Sequence, residues 1–437
     1  PYAWRVDDYG RQWRALKLDG VSGWALKLLE DPVEPRLLWL GTEHGLWVSV
    51  DGGERFRKWT QGVPTASVMD LAVQPDEHDL VVATHGHGIY IVDDLRPLRA
   101  LARAGTPSAL TAWAGEGLLH TRAQPAGPRF AGNSEYIGEN EPYGLPLSFW
   151  IDDTALPHPH ARAERERLAA VATQVAGGGT PAEPKKLRIE VRDASGKLVR
   201  VATPEARQGL NRWWWGLDSE AARSPTPPPP WGSAHGVDVL PGTYTFTVRY
   251  GEASTTTTGE VRLDPRVTVK PEALAARRAA LLEAAALQDQ VVDRIEEIRQ
   301  LRADFARVQA LAEARLAERQ RQDPSAEIDD ADPLKAFLKA LGESGKQLNA
   351  AEDRLWQDPA RIKGYQPDED ALSRLSVAEW ALGSTWDAPA PDALGYLSVA
   401  RAAVADALAK SKATLDAERS ARAAEAATLE LTLFRAP

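Results

Sequence analysis

The stretch SVDGGERF, residues 49–56, places an Asp and two glycines between a hydrophobic run and an aromatic residue. An Asp carboxylate can accept backbone N–H groups across a tight turn, and glycine adopts positive φ at no steric cost. The aromatic Phe56 is expected to pack beneath that turn. The stretch therefore predicts a hairpin turn in which Ser49, Asp51 and Gly53 are structural rather than catalytic.

The pattern recurs along the chain. Residues 6–13, VDDYGRQW, place Asp8, Gly10 and Trp13 in the positions of Asp51, Gly53 and Phe56, about 43 residues earlier. In the other direction, GTEHGLWVSVDGG (41–53) matches ATHGHGIYIVDDL (83–95). A repeat of about 40–45 residues with several short strands is typical of a β-propeller blade.

These residues carry a family resemblance. The motif S-x-D-x-G-x-x-[FW], matched fully by 49–56 and without its Ser by 6–13, is the Asp box of bacterial-neuraminidase-type (BNR) repeats. With LLWLGTEHGLWVSVDGG (37–53), the region resembles the last blades of sortilin-like propellers in large bacterial proteins, often labelled glycosyl hydrolases. The resemblance implies two blades in residues 1–104.

A propeller needs typically 4–8 blades to close. The remaining blades are therefore expected upstream in the same precursor or on another chain. The first residue, Pro1, and the single methionine, Met69, favour the same interpretation, a processed product or a fragment.

Composition limits the partners and the compartment. The 437 residues carry a net charge of -10, which argues against nucleic acid, because phosphate binding needs clustered Lys and Arg. No apolar run approaches the roughly 20 residues of a membrane span. The absence of cysteine excludes disulfides and thiolate metal sites and fits a periplasmic, cell-surface or secreted bacterial protein.

The remaining chain changes character twice. Residues 105–136 are predicted to be a linker, and the resemblance assigns 137–267 to an immunoglobulin-like β-sandwich with insertions at 154–184 and 222–236. Residues 268–437 are predicted to form an antiparallel helical bundle, since apolar residues recur there at helical spacing. The expected strands and helices are Leu145–Ile151, hairpins within 186–204 and 240–264, a strand in 209–218, a short helix at 162–176 and long helices at 271–322, 333–357 and 392–433.

Two kinds of side chain could carry function. Asp70 interrupts the apolar strand VMDLAV; it is the catalytic candidate, although a hydrogen-bonded structural Asp is the favoured interpretation. In the run Trp213-Trp214-Trp215, alternate residues face opposite sides of a strand. Core packing is favoured for this run, and Trp214 with Trp231 is the candidate platform for a sugar ring or a partner.

Metal and cofactor sites are not predicted. The pairs His85/His87 and His158/His160 could each present two imidazoles, but a complete site needs three or four ligands. The sequence contains no phosphate-binding loop, nucleophile elbow or H-E-x-x-H motif.

The leading hypothesis is a non-catalytic recognition or assembly protein, whose propeller binds a glycan or peptide and whose sandwich and helices dock partners or further copies of the chain. The alternative is a glycoside hydrolase with its active site on the axis of the complete propeller. Capture of extended peptides, as the sortilin resemblance implies, is a third possibility.

Overall fold

The computed structural model describes residues 2–105, 107, 110–119, 141–227, 235–323, 329, 331–358 and 370–431. It is a mixed α/β protein with several antiparallel sheets and a C-terminal helical region. Two compact units are present: residues 1–217 with 241–266, and residues 218–240 with 267–437.

The first unit begins with two successive antiparallel sheets in which neighbours in sequence are neighbours in space. Sheet 1 has the order β3-β4-β5-β6 and sheet 2 the order β7-β8-β9, while the short pair β1-β2 precedes them. All of these sheets are open. The strands are β1 (Trp4–Arg5), β2 (Arg14–Ala15), β3 (Ala25–Glu30), β4 (Leu38–Thr42), β5 (Gly45–Ser49), β6 (Arg57–Trp59), β7 (Val68–Gln74), β8 (Asp79–Thr84) and β9 (Ile89–Val92).

The helix α1 (Arg96–Ala104) follows, and two further sheets complete the first unit. Their orders are β10-β12-β15 and β11-β17-β16-β13-β14, with β11 parallel to β17. The helix α2 (Ala161–Ala176) lies between β12 and β13. The strands are β10 (Thr111–Ala114), β11 (Glu116–Leu119), β12 (Leu145–Ile151), β13 (Leu187–Arg192), β14 (Leu198–Ala202), β15 (Gly209–Trp215), β16 (Gly242–Tyr250) and β17 (Ala253–Leu263).

The second unit contains α3 (Pro271–Gln322), α4 (Pro333–Leu355), α5 (Ala371–Gly383) and α6 (Pro391–Thr428) around a shared apolar core. Ion pairs fix the helix directions. Arg299 of α3 contacts Glu352 near the end of α4, and Arg319 contacts Asp332 at its start, so α3 and α4 are antiparallel. Arg401 in the first part of α6 contacts Glu283 in the first part of α3. Arg315, late in α3, donates to the carbonyl of Leu429 at the end of α6, so α3 and α6 are parallel.

Two predicted boundaries differ from the structure. Residues 111–119, assigned to the linker, form β10 and β11, because four-residue strands separated by Gly115 give no clear periodicity of their own. Residues 218–240, treated as part of the sandwich, belong to the second unit. There the guanidinium of Arg223 contacts Asp289 and Asp293 of α3.

The starts of α3, α4 and α6 lie within one residue of the predicted starts at 271, 333 and 392, and each of these helices has Pro in its first turn. The helix α5 has 13 residues. No helix in the described part of the chain combines the length and apolar character that a membrane span requires.

Candidate functional site

The turn at 49–56 has the predicted hydrogen-bond pattern. The Asp51 Oδ1 accepts the backbone N–H groups of Glu54 and Arg55 at 3.1 and 3.0 Å and the Ser49 hydroxyl at 2.8 Å. Gly53 has a φ of 90° and donates its N–H to the Ser49 hydroxyl at 2.9 Å. Phe56 is buried. The Ser49 hydroxyl and the Asp51 Oδ1 are thus engaged within the turn itself.

The turn at 6–13 repeats this geometry with one difference. Asp8 Oδ1 accepts the N–H groups of Arg11 and Gln12 at 2.9 and 2.8 Å, and Gly10 has a φ of 94°. Trp13, however, is 65% exposed, so the expectation that it packs beneath the turn is wrong. Its indole N–H instead donates to the Gly10 carbonyl at 3.1 Å.

The strands beside the two turns have the same register. Trp4 pairs with Ala15 and Arg5 with Arg14, as Trp47 pairs with Lys58 and Val48 with Arg57. The pair β1-β2 is therefore equivalent to β5-β6, the outer half of sheet 1. Within the described residues, β1 and β2 have no counterparts of the inner strands β3 and β4.

Sheets 1 and 2 are also equivalent in register. Gly41 pairs with Leu46 and Trp39 with Val48 in sheet 1; Ala83 pairs with Ile89 and Val81 with Ile91 in sheet 2. These two sets of four residues are the positions superposed by the sequence repeat. The repeat is thus a structural one, and faces of the two sheets can be compared residue by residue.

Equivalent faces of the two sheets differ in burial. In sheet 1, Trp39, Leu46 and Val48 pack in one apolar cluster with residues of sheet 2. In sheet 2, the corresponding Ile89 and Ile91 are 70% and 49% exposed. We call this surface the outer face of sheet 2; its residues are Asp70, Ala72, Val81, Ala83, Ile89 and Ile91. Asp70 is its one charged residue, and the exposed isoleucines give it the apolar character of an interaction site.

Asp70 lies in an exposed ion pair. Its Oδ1 is 2.7 Å from the Lys27 Nζ, across from β7 to β3, and accepts the N–H of Leu71 at 2.9 Å. The hydrogen bond from Lys27 lowers the pKa of Asp70 from its usual value. These contacts stabilise the ionised carboxylate and give Asp70 no feature of a general acid.

A group of carboxylates around Arg212 was not identified from the sequence. The Arg212 guanidinium donates to the carbonyls of Asp93 and Asp94 at 2.9 and 3.1 Å, which joins β15 to the residues before α1. Partial burial and then the charge of Asp79 raise the pKa of Asp93. These partners are more than 100 residues from Arg212 in sequence, so no local pattern could reveal them.

Glu141 belongs to the same group. Desolvation of its carboxylate, followed by the negative charges of Asp93, Asp79 and Glu77, raises the pKa of Glu141 to about 7, although much of the side chain reaches solvent. Arg212 partly offsets the effect. Carboxyl groups whose pKa is raised by burial and by neighbouring carboxylates are enriched at functional sites.

The tryptophan run is divided between two faces of its sheet, as predicted. Trp215 is fully buried and contacts Tyr244 and Phe246 of β16 edge-on. Trp214 is half-buried on the opposite face, paired with Pro146. Trp231, its proposed companion, lies outside the described residues.

The histidine pairs are engaged with backbone groups. His158 Nδ1 accepts the backbone N–H of His160 at 2.9 Å, and His87 Nδ1 lies 3.2 Å from the His85 carbonyl. Within the described ranges, no group of three or more His, Asp or Glu side chains could hold a metal ion.

No protein-family model matches this chain, and no curated protein is significantly similar to it.

Proposed function

We propose that this chain is a non-catalytic recognition and assembly protein of the bacterial envelope or extracellular space. In this proposal, sheets 1 and 2 are two blades of an Asp-box propeller that other blades complete, and the complete propeller binds a glycan or a peptide. The immunoglobulin-like sandwich and the helices dock partners.

The observation that carries the proposal is the outer face of sheet 2. Its repeat-equivalent in sheet 1 is covered by a neighbouring sheet, whereas Ile89 and Ile91 are exposed. Covering these side chains would stabilise the protein, because burial of apolar surface contributes roughly 25 cal/mol per Å². Since sheet 2 covers the equivalent face of sheet 1, the occupant that fits best is another sheet of the same repeat, packed as sheet 2 packs on sheet 1.

The contacts of two carboxylates in the repeats, Asp51 and Asp70, support a structural role for them and not a catalytic one. The Asp51 carboxylate accepts backbone N–H groups of its own turn, and Asp70 is held by Lys27. Lys27 lowers the pKa of Asp70, the opposite of what a general acid needs at neutral pH.

The test is to purify the protein natively and determine the mass and terminal sequences of whatever remains bound. The expected companion is a polypeptide with Asp-box repeats, and Ile89→Asp should weaken its binding. Val175→Asp, at an aliphatic position on α2 that is 53% exposed, is the control and should leave binding unchanged. A companion without such repeats, no companion at all, or equal binding by both variants would contradict the proposal.

A glycoside hydrolase remains the second candidate because of Glu141. Glycosidases pair a protonated acid with an ionised carboxylate, and Glu141 with a pKa of about 7 has the character of the acid. Hydrolysis of glycans by the native protein that is lost in Glu141→Gln and retained in Glu77→Gln would favour this function over the first.

A further inference from the structure

We infer that the exposed face of the five-stranded sheet β11-β17-β16-β13-β14 binds an acidic polysaccharide. A sugar carboxylate binds the arginine pair Arg188–Arg249, and sugar hydroxyls bind a neighbouring array of threonines. This site goes beyond the proposed function, which places glycan binding on the propeller and gives these strands a docking role. It is formed entirely by strands that the structure describes.

One face of this sheet is core and the other carries hydroxyl groups. Ile189 and Val191 of β13 and Phe246 and Val248 of β16 are fully buried. Because side chains alternate along a strand, the residues between them lie on the opposite face. The hydroxyl-bearing residues of that face, on β16 and β17, are Thr243, Thr245, Thr247, Ser254, Thr256 and Thr258.

Four of these threonines form two cross-strand pairs. Thr245 is directly opposite Thr258, and Thr247 is directly opposite Thr256. The Cβ atoms of such pairs are about 4.5–5.5 Å apart. Among the described residues, none forms a hydrogen bond with these four hydroxyls. Since each hydroxyl has one donor and two acceptor lone pairs, the array can bind a polyhydroxylated ligand at several points.

An arginine pair adjoins the threonines on the same face. Arg188 is directly opposite Arg249, and both side chains are exposed. Like charges in this position destabilise a strand pair. Arg188 shares one carboxylate, Glu190, with Arg192, at 3.0 Å from each, and no carboxylate of the described residues pairs with Arg249. Three guanidinium groups thus share one carboxylate, and an anion between Arg188 and Arg249 would relieve their repulsion.

The arrangement favours a carboxylated glycan over other anions. The planar fork of arginine matches a carboxylate in bidentate geometry. The face has no aromatic residue on β13, β16 or β17, so sugars are held through hydroxyl and carboxylate groups and not by stacking. Glu260, opposite Thr243, confines the positive charge to one end of the face. The closely spaced phosphates of a nucleic acid would meet Glu260, which disfavours that ligand.

The probe is a short hyaluronan oligosaccharide, in which carboxylated and neutral sugars alternate, titrated into the whole chain by isothermal calorimetry. We expect saturable binding that weakens with salt, and no binding of an uncharged chitin oligosaccharide of equal length. Arg249→Gln should weaken binding at least about tenfold, because a charge-assisted contact is lost. Thr247→Val keeps a β-branched side chain without the hydroxyl and should weaken binding about threefold. Arg165→Gln removes an exposed arginine of α2 and should bind like the wild type.

Unchanged circular dichroism melts of Arg249→Gln and Thr247→Val verify that the sheet is intact. Absence of binding, equal binding of the chitin oligosaccharide or of single-stranded DNA, or wild-type affinity in either variant would overturn the inference. The assembly role is tested separately: a native companion that Ile89→Asp releases supports that role whatever the outcome of the glycan titration.

Discussion

Arg99 holds Asp31 in a bidentate ion pair, and both side chains are almost completely buried, at 5% and 0% exposure. The Arg99 Nε lies 2.9 Å from Asp31 Oδ1, and Nη2 lies 3.0 Å from Oδ2. Nη1 donates to His78 Nδ1 at 3.1 Å, so the ring proton of neutral His78 is on Nε2. This network attaches α1 to the connection between β3 and β4.

Replacing Asp31 by Asn leaves the Arg99 charge buried without a counter-ion. We expect a loss of about 3–5 kcal/mol in the free energy of unfolding, measured by urea denaturation with tryptophan fluorescence. Arg162→Met is the matched control: in its pair with Glu166 both side chains are exposed, and its loss should cost less than about 1 kcal/mol. Equal losses of unfolding free energy in the two variants would show that burial does not determine how much the Arg99–Asp31 pair contributes to stability.

The two Asp-box glycines provide a matched comparison. Gly53 and Gly10 both have positive φ, but a Cβ at Gly53 would lie 2.6 Å from Leu16 Cδ2, while nothing lies within 4 Å of a Cβ at Gly10. Gly10→Ala should cost about 1–2 kcal/mol through backbone strain alone. Gly53→Ala should cost more, because Leu16 must also move. Thermal denaturation of the two variants measures the difference, and a smaller effect at Gly53 would contradict it.

The raised pKa of Glu141 predicts a pH dependence of stability. The folded protein holds this proton more tightly than the unfolded chain, so between about pH 4.5 and 7 the unfolded chain loses it first. The Glu141 contribution to stability is therefore complete at low pH and lost as the pH rises through 7. Urea midpoints between pH 5 and 8 should fall less in Glu141→Gln than in the wild type.

Glu164→Gln controls for loss of a carboxylate elsewhere in the unit. A hydrogen bond from Arg167 lowers the pKa of Glu164 to about 2, so Glu164 is ionised throughout this pH range in both states. Its variant should keep the slope of the wild type. A parallel pH profile for Glu141→Gln would show that Glu141 titrates normally.

Glu352 is the buried centre of an ion-pair group in the helical unit. Its carboxylate is 2% exposed and contacts both Arg299 and Arg302 of α3. Glu352→Ala should destabilise the unit by about 3–5 kcal/mol, since two arginines lose a shared buried partner. Arg223→Ala, which removes an exposed contact of α3, should cost about 1 kcal/mol or less in the same circular dichroism melts.

The sequence was most informative where structure is local. Pro271 and Pro333 at first turns and the apolar spacing of the C-terminal region predicted α3 and α4 to within two residues. The Asp51 turn was likewise predictable, because its carboxylate, glycine and hydroxyl lie within five residues of one another. Strand pairing within hairpins follows from the same locality.

Long-range relationships were beyond reach of the sequence. Arg212 binds backbone carbonyls that any residues would offer, and Glu141 owes its pKa to charges brought together by folding. The exposure of Trp13 was missed for a related reason: its motif fixes the turn, whereas burial of the aromatic ring depends on which sheet lies beneath it.

The single methionine gives the chain an internal chemical reporter. Met69 is 49% exposed on β7, beside Asp70, and the chain has no other methionine or cysteine to compete for a mild oxidant. Sulfoxide formation is set by solvent access to the thioether. The addition of one oxygen atom to the intact mass therefore reports whether sheet 2 is covered, without any label. Slower oxidation of Met69 in crude extract than in the purified chain indicates that a partner covers the sheet, and equal rates indicate that the sheet is bare.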